Sequence, residues 1–258
     1  MSLGAEQVEQ FVRDGFVKVE AAFPAEVGDR CVRELWDATG CSPTDPTTWT
    51  QPVIRLGGFF TPPFREAANT PALHEAFDAL VGAGRWEPLR GLGTFPVRFP
   101  SDDDPGDAGW HVEASYTGAS GELRLNHRSR GRALLLLFLF SEVGEDDAPT
   151  RIRVGSHLDV PPLLAASGED GREWLSLCQD AVEASADRPV ALATGTVGDV
   201  YVCHPFLVHA AQSHRGRTPR FMAQPPLVPI GELDPSASEP NAVERAIALA
   251  SPGARELS

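Results

Sequence analysis

The residues best equipped for chemistry lie in Tyr201–Phe221, Y-V-C-H-P-F-L-V-H-A-A-Q-S-H-R-G-R-T-P-R-F. The stretch starts strand-like, breaks between Ser213 and Pro219, and resumes at Arg220-Phe221-Met222. Folded as a β-hairpin centred between His214 and Arg215, it sets His209 opposite Arg220 on two antiparallel strands. A neutral imidazole is a good metal ligand, and a guanidinium grips a carboxylate. A metal on His209 needs further ligands. A His-x-acid pair on a strand supplies two, because residues i and i+2 point to the same side, and with a second His it forms a two-His-one-carboxylate face with open positions.

Two stretches have that form, His111-Val112-Glu113 and His157-Leu158-Asp159. With 7 His and 36 acidic residues, about one such pair arises by chance, so the surroundings must choose. His111 follows Trp110 early in a β-rich region, with several candidate strands before His209. In a jelly roll that spacing makes the two strands neighbours, with their ligands at one mouth. His157 follows the Gly155-Ser156 turn and is expected to cap it or lie at the surface. Geometry therefore favours His111 and Glu113 as the partners of His209. Arg215 and Arg217 can replace Arg220 only if the hairpin register slips. His74, His127, His204 and His214 are expected to be ordinary surface or core histidines.

Several elements must position these residues. Val8, Phe11 and Val12 share one face of a helix that ends at Asp14-Gly15, and Phe16–Val19 reads as a strand. Val27, Cys31 and Leu35 mark a second helix, opened near Pro24. Residues 41–63 are rich in Thr, Pro and Gly and are expected to be irregular surface. Thr70 is placed to cap a third helix over Leu73, Phe77, Leu80 and Val81. From Leu92 the pattern turns to β. Gly93–Phe99, Gly109–Glu113, Thr150–Val154 and Gly195–Val202 read as strands, and Ala133–Phe140 as a central strand buried on both faces. Ala114–Arg132 is polar and long enough to form a lid. Arg98, Trp110, Tyr116, Arg124, Asn126 and Arg151 are candidates to line a substrate mouth.

The formal net charge of −14 argues against nucleic acid or an anionic membrane as partner. Cys31, Cys41, Cys178 and Cys203 have no metal-binding spacing and read as free thiols in a reducing cytoplasm. The longest apolar run, Ala133–Phe140, is too short to span a bilayer, so a soluble, cytoplasmic protein is expected.

The chain resembles the phytanoyl-CoA dioxygenase family of iron(II)/2-oxoglutarate oxygenases. The resemblance covers most of the sequence: the opening Phe11-Val12-Arg13-Asp14-Gly15-Phe16, Trp110-His111-x-Glu113, Val154-Gly155-Ser156-His157, Gly198-Asp199-Val200-Tyr201, and the ten residues between His209 and Arg220. It implies an α+β fold with a double-stranded β-helix (jelly-roll, cupin-like) core and flanking N-terminal helices. The expected organisation is one oxygenase domain over 1–258: a mainly helical flank at 1–90, the core at 91–228 with an inserted helix near 168–184, and a tail at 229–258. It further implies Fe(II) held by His111, Glu113 and His209, and 2-oxoglutarate as cosubstrate with its distal carboxylate on Arg220. The implied reaction uses molecular oxygen to hydroxylate a small molecule, releasing succinate and carbon dioxide. The sequence departs from the family at two positions: Glu113 stands where Asp is usual, and Ala211 where Ser often helps the arginine. Halogenating relatives have a small residue at the carboxylate position, so Glu113 disfavours halogenation. Two other readings remain open, a cupin-like metal-dependent isomerase or lyase and a non-catalytic binding protein with a decayed metal site.

Overall fold

The computed structural model describes residues 3–251. Helix α1 (Ala5–Asp14) buries Phe11 and Val12 and stops where Gly15 takes a φ of 85°. Strand β1 (Phe16–Val19) follows, then α2 (Ala25–Thr39), which buries Val27, Cys31 and Leu35 at four-residue spacing. Within the stretch expected to be irregular lies β2 (Val53–Leu56), which pairs with β3 (Phe95–Arg98). Its few apolar residues gave no alternation to read; the pairing with a distant strand makes it a strand. Between them come α3 (Pro62–Ala68) and α4 (Pro71–Val81), the latter capped by Thr70, whose hydroxyl accepts from the Leu73 amide.

The expected lid is partly built structure. It holds β4 (Tyr116–Thr117) and β5 (Leu123–Leu125), which pair with each other. Strand β6 (Leu134–Leu139) is buried at every position, as its unbroken apolar run requires. After it come β7 (Arg151–Arg153), α5 (Val160–Leu164), β8 (Arg172–Glu173) and α6 (Trp174–Ala184). The last strands are β9 (Val190–Leu192), β10 (Val200–Cys203), β11 (His209–Ala210), β12 (Met222–Ala223) and β13 (Pro226–Leu227). Helix α7 (Ala242–Ala250) then packs against α1, with Arg245 paired to Glu9 at 2.8 Å.

The larger antiparallel sheet has the order β1-β10-β6-β12, with β13 also on β6; a smaller one runs β11-β7-β9. Alternation along β6 decides which layer each side chain enters. Leu135, Leu137 and Leu139 pack with Ile152, Ala193 and Met222 between the two sheets. Leu134, Leu136 and Phe138 join the helical core with Phe11, Phe23 and Phe77. The N-terminal ninety residues are thus more than a flank, since β1 pairs along its whole length with β10.

The expected hairpin is not formed. Strand β11 pairs with β7 of the smaller sheet, and His209 also bridges His111. Arg220 bridges Arg98, and β12 continues along β6 of the larger sheet. Residues 211–219 cross from one sheet to the other, folded around a His214 ring nitrogen 2.8 Å from the Thr218 carbonyl oxygen. His209 and Arg220 therefore have separate cross-strand partners instead of each other.

At Gly198, where the chain turns into β10, φ is +99° and an added Cβ would stand 2.4 Å from the Phe23 carbonyl oxygen. Gly198→Ala is expected to cost about 2 kcal/mol or more, combining a left-handed backbone with a clash against main chain. Urea unfolding measures it; a loss below about 0.5 kcal/mol would mean that the turn relaxes freely.

Candidate functional site

His111 and His209 face each other through a reciprocal pair of backbone hydrogen bonds, His111 N to His209 O at 3.0 Å and His209 N to His111 O at 2.9 Å. Side chains directly opposite in such a pair share one face, and the two rings lie 4.4 Å apart. Each ring also meets a backbone carbonyl through Nδ1: His111 with Gly109 O at 3.0 Å, His209 with Leu207 O at 3.0 Å. A carbonyl oxygen only accepts, so both Nδ1 atoms carry hydrogen and both Nε2 atoms of the neutral rings present lone pairs. Burial, then the nearby His209, lowers the pKa of His111 and favours that neutral form. The Nε2 of His209 is buried and makes no hydrogen bond among the described residues.

Glu113 completes the cluster. Its Oε1 is 3.4 Å from His209 Nε2 and 3.9 Å from His111 Nε2. Burial opposes its charge, but a hydrogen bond and positive charge from His209 when that ring carries protons on both nitrogens, followed by the field of Arg132, outweigh that and hold the carboxyl at about 2. Three donor atoms, one from each residue, lie within 4.8 Å of one another. Ligand atoms at right angles around one small cation, about 2.1 Å from it, stand about 3 Å apart, so modest contraction closes the set. The residues fit a metal of the two-His-one-carboxylate type.

The surroundings hold the cluster still. The guanidinium carbons of Arg151 and Arg153 both lie over the Trp110 ring, 4.8 and 4.5 Å from its centroid. Trp174 Nε1 donates to the Val112 carbonyl at 2.6 Å, anchoring the residue between the two ligands to α6.

Beside the histidines a cavity opens between the sheets, lined by His111, His209, Thr150, Met222, Arg98 and Arg220 among others. Its 240 Å³ is below the ~300 Å³ at which drug-sized ligands are usually accommodated, a size for a small acid. Strand alternation sends Phe221 to the helix side, against Trp36 at 5.1 Å, and leaves Arg220 on the cavity side.

Arg220 is 1% exposed, yet its hydrogen-bond partners are carbonyl oxygens, those of Ala148 and Pro96, and its Nε has none among the described residues. Arg98, also 1% exposed, is bound to Asp107 at 2.7 Å, while its Nε and Nη1 have no partner among the described residues. Asp107 is shared with the exposed Arg55 at 2.5 Å. Burial, then the charge of Arg98, brings the Arg220 guanidinium down to about 9. Two buried cations share one carboxylate and leave three guanidinium nitrogens without partners among the described residues, a donor set whose chemistry suits an anion.

Of the residues singled out by sequence, His111, Glu113 and His209 come together, and Arg220 lies in the adjoining cavity; Arg215 and Arg217 are exposed. His157 does not cap a turn at the surface. It is 1% exposed beneath α1, with Nε2 3.0 Å from the Val12 carbonyl, and Asp159 turns away to Arg188 at 2.7 Å. Its burial depends on the α1 packing, which a Gly-Ser turn does not announce. By sequence Arg98 was expected only at a substrate mouth, Arg132 only as the end of the polar lid stretch, and Asp107 was not singled out. The one available signal was the alternation of Phe95-Pro96-Val97-Arg98, which puts a charge where a buried strand needs a partner.

No family model matches the chain, and no curated protein does. Solved structures do match its fold. The non-heme alpha-ketoglutarate-dependent carbocyclase SnoK from nogalamycin biosynthesis aligns over 88% of this chain and 83% of its own, with TM-score 0.57 and 17% identity. The epimerase SnoN, solved with Fe3+, alpha-ketoglutarate and nogalamycin RO, aligns over 92% and 86%, with TM-score 0.56 and 16% identity. HygX from Streptomyces hygroscopicus, solved with nickel and 2-oxoglutarate, aligns over 87% and 86%, with TM-score 0.54 and 18% identity. The fold is theirs. At these identities the likeness carries the fold and not the reaction.

His157 is expected to act on stability through pH. Burial holds its pKa at about 4, against about 6.5 in an unfolded chain. Between those values the unfolded state takes a proton that the native state refuses, so stability falls as pH drops through this window. The contribution between pH 7 and pH 5 is about 2 kcal/mol. His157→Gln keeps a donor for the Val12 carbonyl and should flatten the pH dependence of urea unfolding by that amount. An unchanged slope would assign the titration to another group.

Proposed function

We propose that the chain is an iron(II)- and 2-oxoglutarate-dependent oxygenase of a small molecule, a single catalytic domain on a double-stranded β-helix core. His111, Glu113 and His209 would hold the metal, and Arg220 the distal carboxylate of the cosubstrate. The supporting observation is the cavity itself. One wall presents two imidazole lone pairs, and the buried guanidinium donors of Arg98 and Arg220 lie in the same enclosure. A 2-oxo acid with a second carboxylate has matching ends, a metal chelator and an anion. When bound, this pair of groups supplies oxidation of a C–H bond by molecular oxygen, coupled to loss of carbon dioxide and formation of succinate.

The residues of the chain supply orientation. The Nδ1–H contacts of His111 and His209 fix both tautomers and aim both Nε2 atoms. Arg220 pairs with the far carboxylate, relieving a buried charge that has no carboxylate partner among the described residues. Ala211 lines the same cavity without a hydroxyl, so the second donor set there is that of Arg98. An isomerase or lyase with no acidic ligand would leave Arg220 without a carboxylate partner among the described residues. No helix among the described residues is long and apolar enough to cross a membrane. The net charge of −14 disfavours nucleic acid as the substrate.

Anaerobic addition of Fe(II) and 2-oxoglutarate is expected to produce the weak visible charge-transfer band of the chelate. No band in the wild-type protein would remove the oxygenase reading. The band should disappear in His111→Ala and persist in a folded His157→Gln; the reverse would make His157 the ligand. Arg220→Ala should weaken 2-oxoglutarate by about 10- to 100-fold while metal affinity persists, the worth of a charge-assisted contact.

A further inference from the structure

The two oxygens of Glu113 have different neighbours. Oε1 faces the histidine nitrogens at 3.4 and 3.9 Å, whereas Oε2 lies 3.4 Å from Nη2 of Arg132. Arg132 also donates through Nε to the Ala114 carbonyl at 3.3 Å, so one guanidinium touches both the carboxylate and the backbone beside it. Its only ion pair among the described residues is with Glu113. Nearby in sequence, Arg128 and Arg130 reach outward to Glu169 and Glu232. Arg132 turns inward because the chain bends at Gly131, where φ is +81°, and the next residue enters the sheet with Ala133 N on Leu227 O at 2.7 Å.

We propose that Arg132 is a positioning residue that holds the outer oxygen of Glu113 and restricts the carboxylate to ligation through one oxygen; this rests on the oxygenase reading. A free glutamate readily turns both oxygens onto a cation, as it does in calcium sites. Two histidines and one carboxylate oxygen leave three of six positions open, which a chelating 2-oxo acid and oxygen require. Two carboxylate oxygens would leave one too few. An aspartate is a methylene shorter, so its carboxylate would sit nearer the backbone and farther from both contacts that Glu113 makes.

Anaerobic titration of the full-length chain separates metal affinity from cosubstrate affinity. Co(II) absorption reports the first, and the Fe(II)·2-oxoglutarate band at saturating metal reports the second. Arg132→Met is expected to leave Co(II) affinity within about threefold of wild type while weakening 2-oxoglutarate by about tenfold or more. Arg132→Lys, which keeps the charge, should recover most of that loss. Arg132→Gln, which keeps a donor for the Ala114 carbonyl, should not, and it serves if the methionine variant does not fold. A merely structural role would lower both affinities together and would overturn the proposal, as would variants whose 2-oxoglutarate affinity equals that of wild type. A wild-type protein that binds Co(II) but forms no chelate band would sink the oxygenase reading, and this one with it. A normal wild-type band unchanged in the variants sinks this one alone.

Discussion

The reciprocal backbone pair between His111 and His209 is the constraint on which the site depends. It joins a segment that is otherwise outside any strand to the edge of the smaller sheet. Because the two residues stand directly opposite, their rings share a face. The backbone carbonyls of Gly109 and Leu207 then select the tautomer of each ring. Glu113, two residues beyond His111, comes to the same side, and Arg132 meets its outer oxygen. Metal-binding capacity at this point is thus a property of backbone registration first and of side-chain identity second.

A second cross-strand pair carries the opposite electrostatic character. Arg98 and Arg220 exchange backbone hydrogen bonds at 3.0 and 2.8 Å, which sets two like charges side by side in a buried place. Such a pair is destabilising unless an anion joins it, and Asp107 answers only part of the charge. The cavity between the sheets therefore joins lone pairs for a cation to guanidinium groups for an anion, and this polarity distinguishes it from an ordinary packing void. The folding cost of burying Arg220 is explained if the chain works with a carboxylate in place.

Much of the framework could be read in advance because it follows from local rules. The α1 stripe ended by Gly15, the Thr70 cap and the doubly buried β6 each depend on residues a few positions apart. Strand β2 and the β4–β5 pair could not be read this way, because their partners are far away and their own patterns are too short. His157 illustrates the same limit in the other direction: a polar residue after a turn looks solvated until a helix from the far N-terminus closes over it.

Local sequence was enough for the ligand types, their i, i+2 spacing, and the apolar strand that the two layers share. These depend on the two-residue period of a strand and on side-chain chemistry. Tertiary structure alone decided who faces whom. His209 and Arg220 looked like neighbours across a hairpin, yet the chain between them crosses from one sheet to the other, giving His209 to His111 and Arg220 to Arg98. Pairing between distant strands is settled by burial of the whole β6 layer, a collective energy that no short stretch of sequence contains.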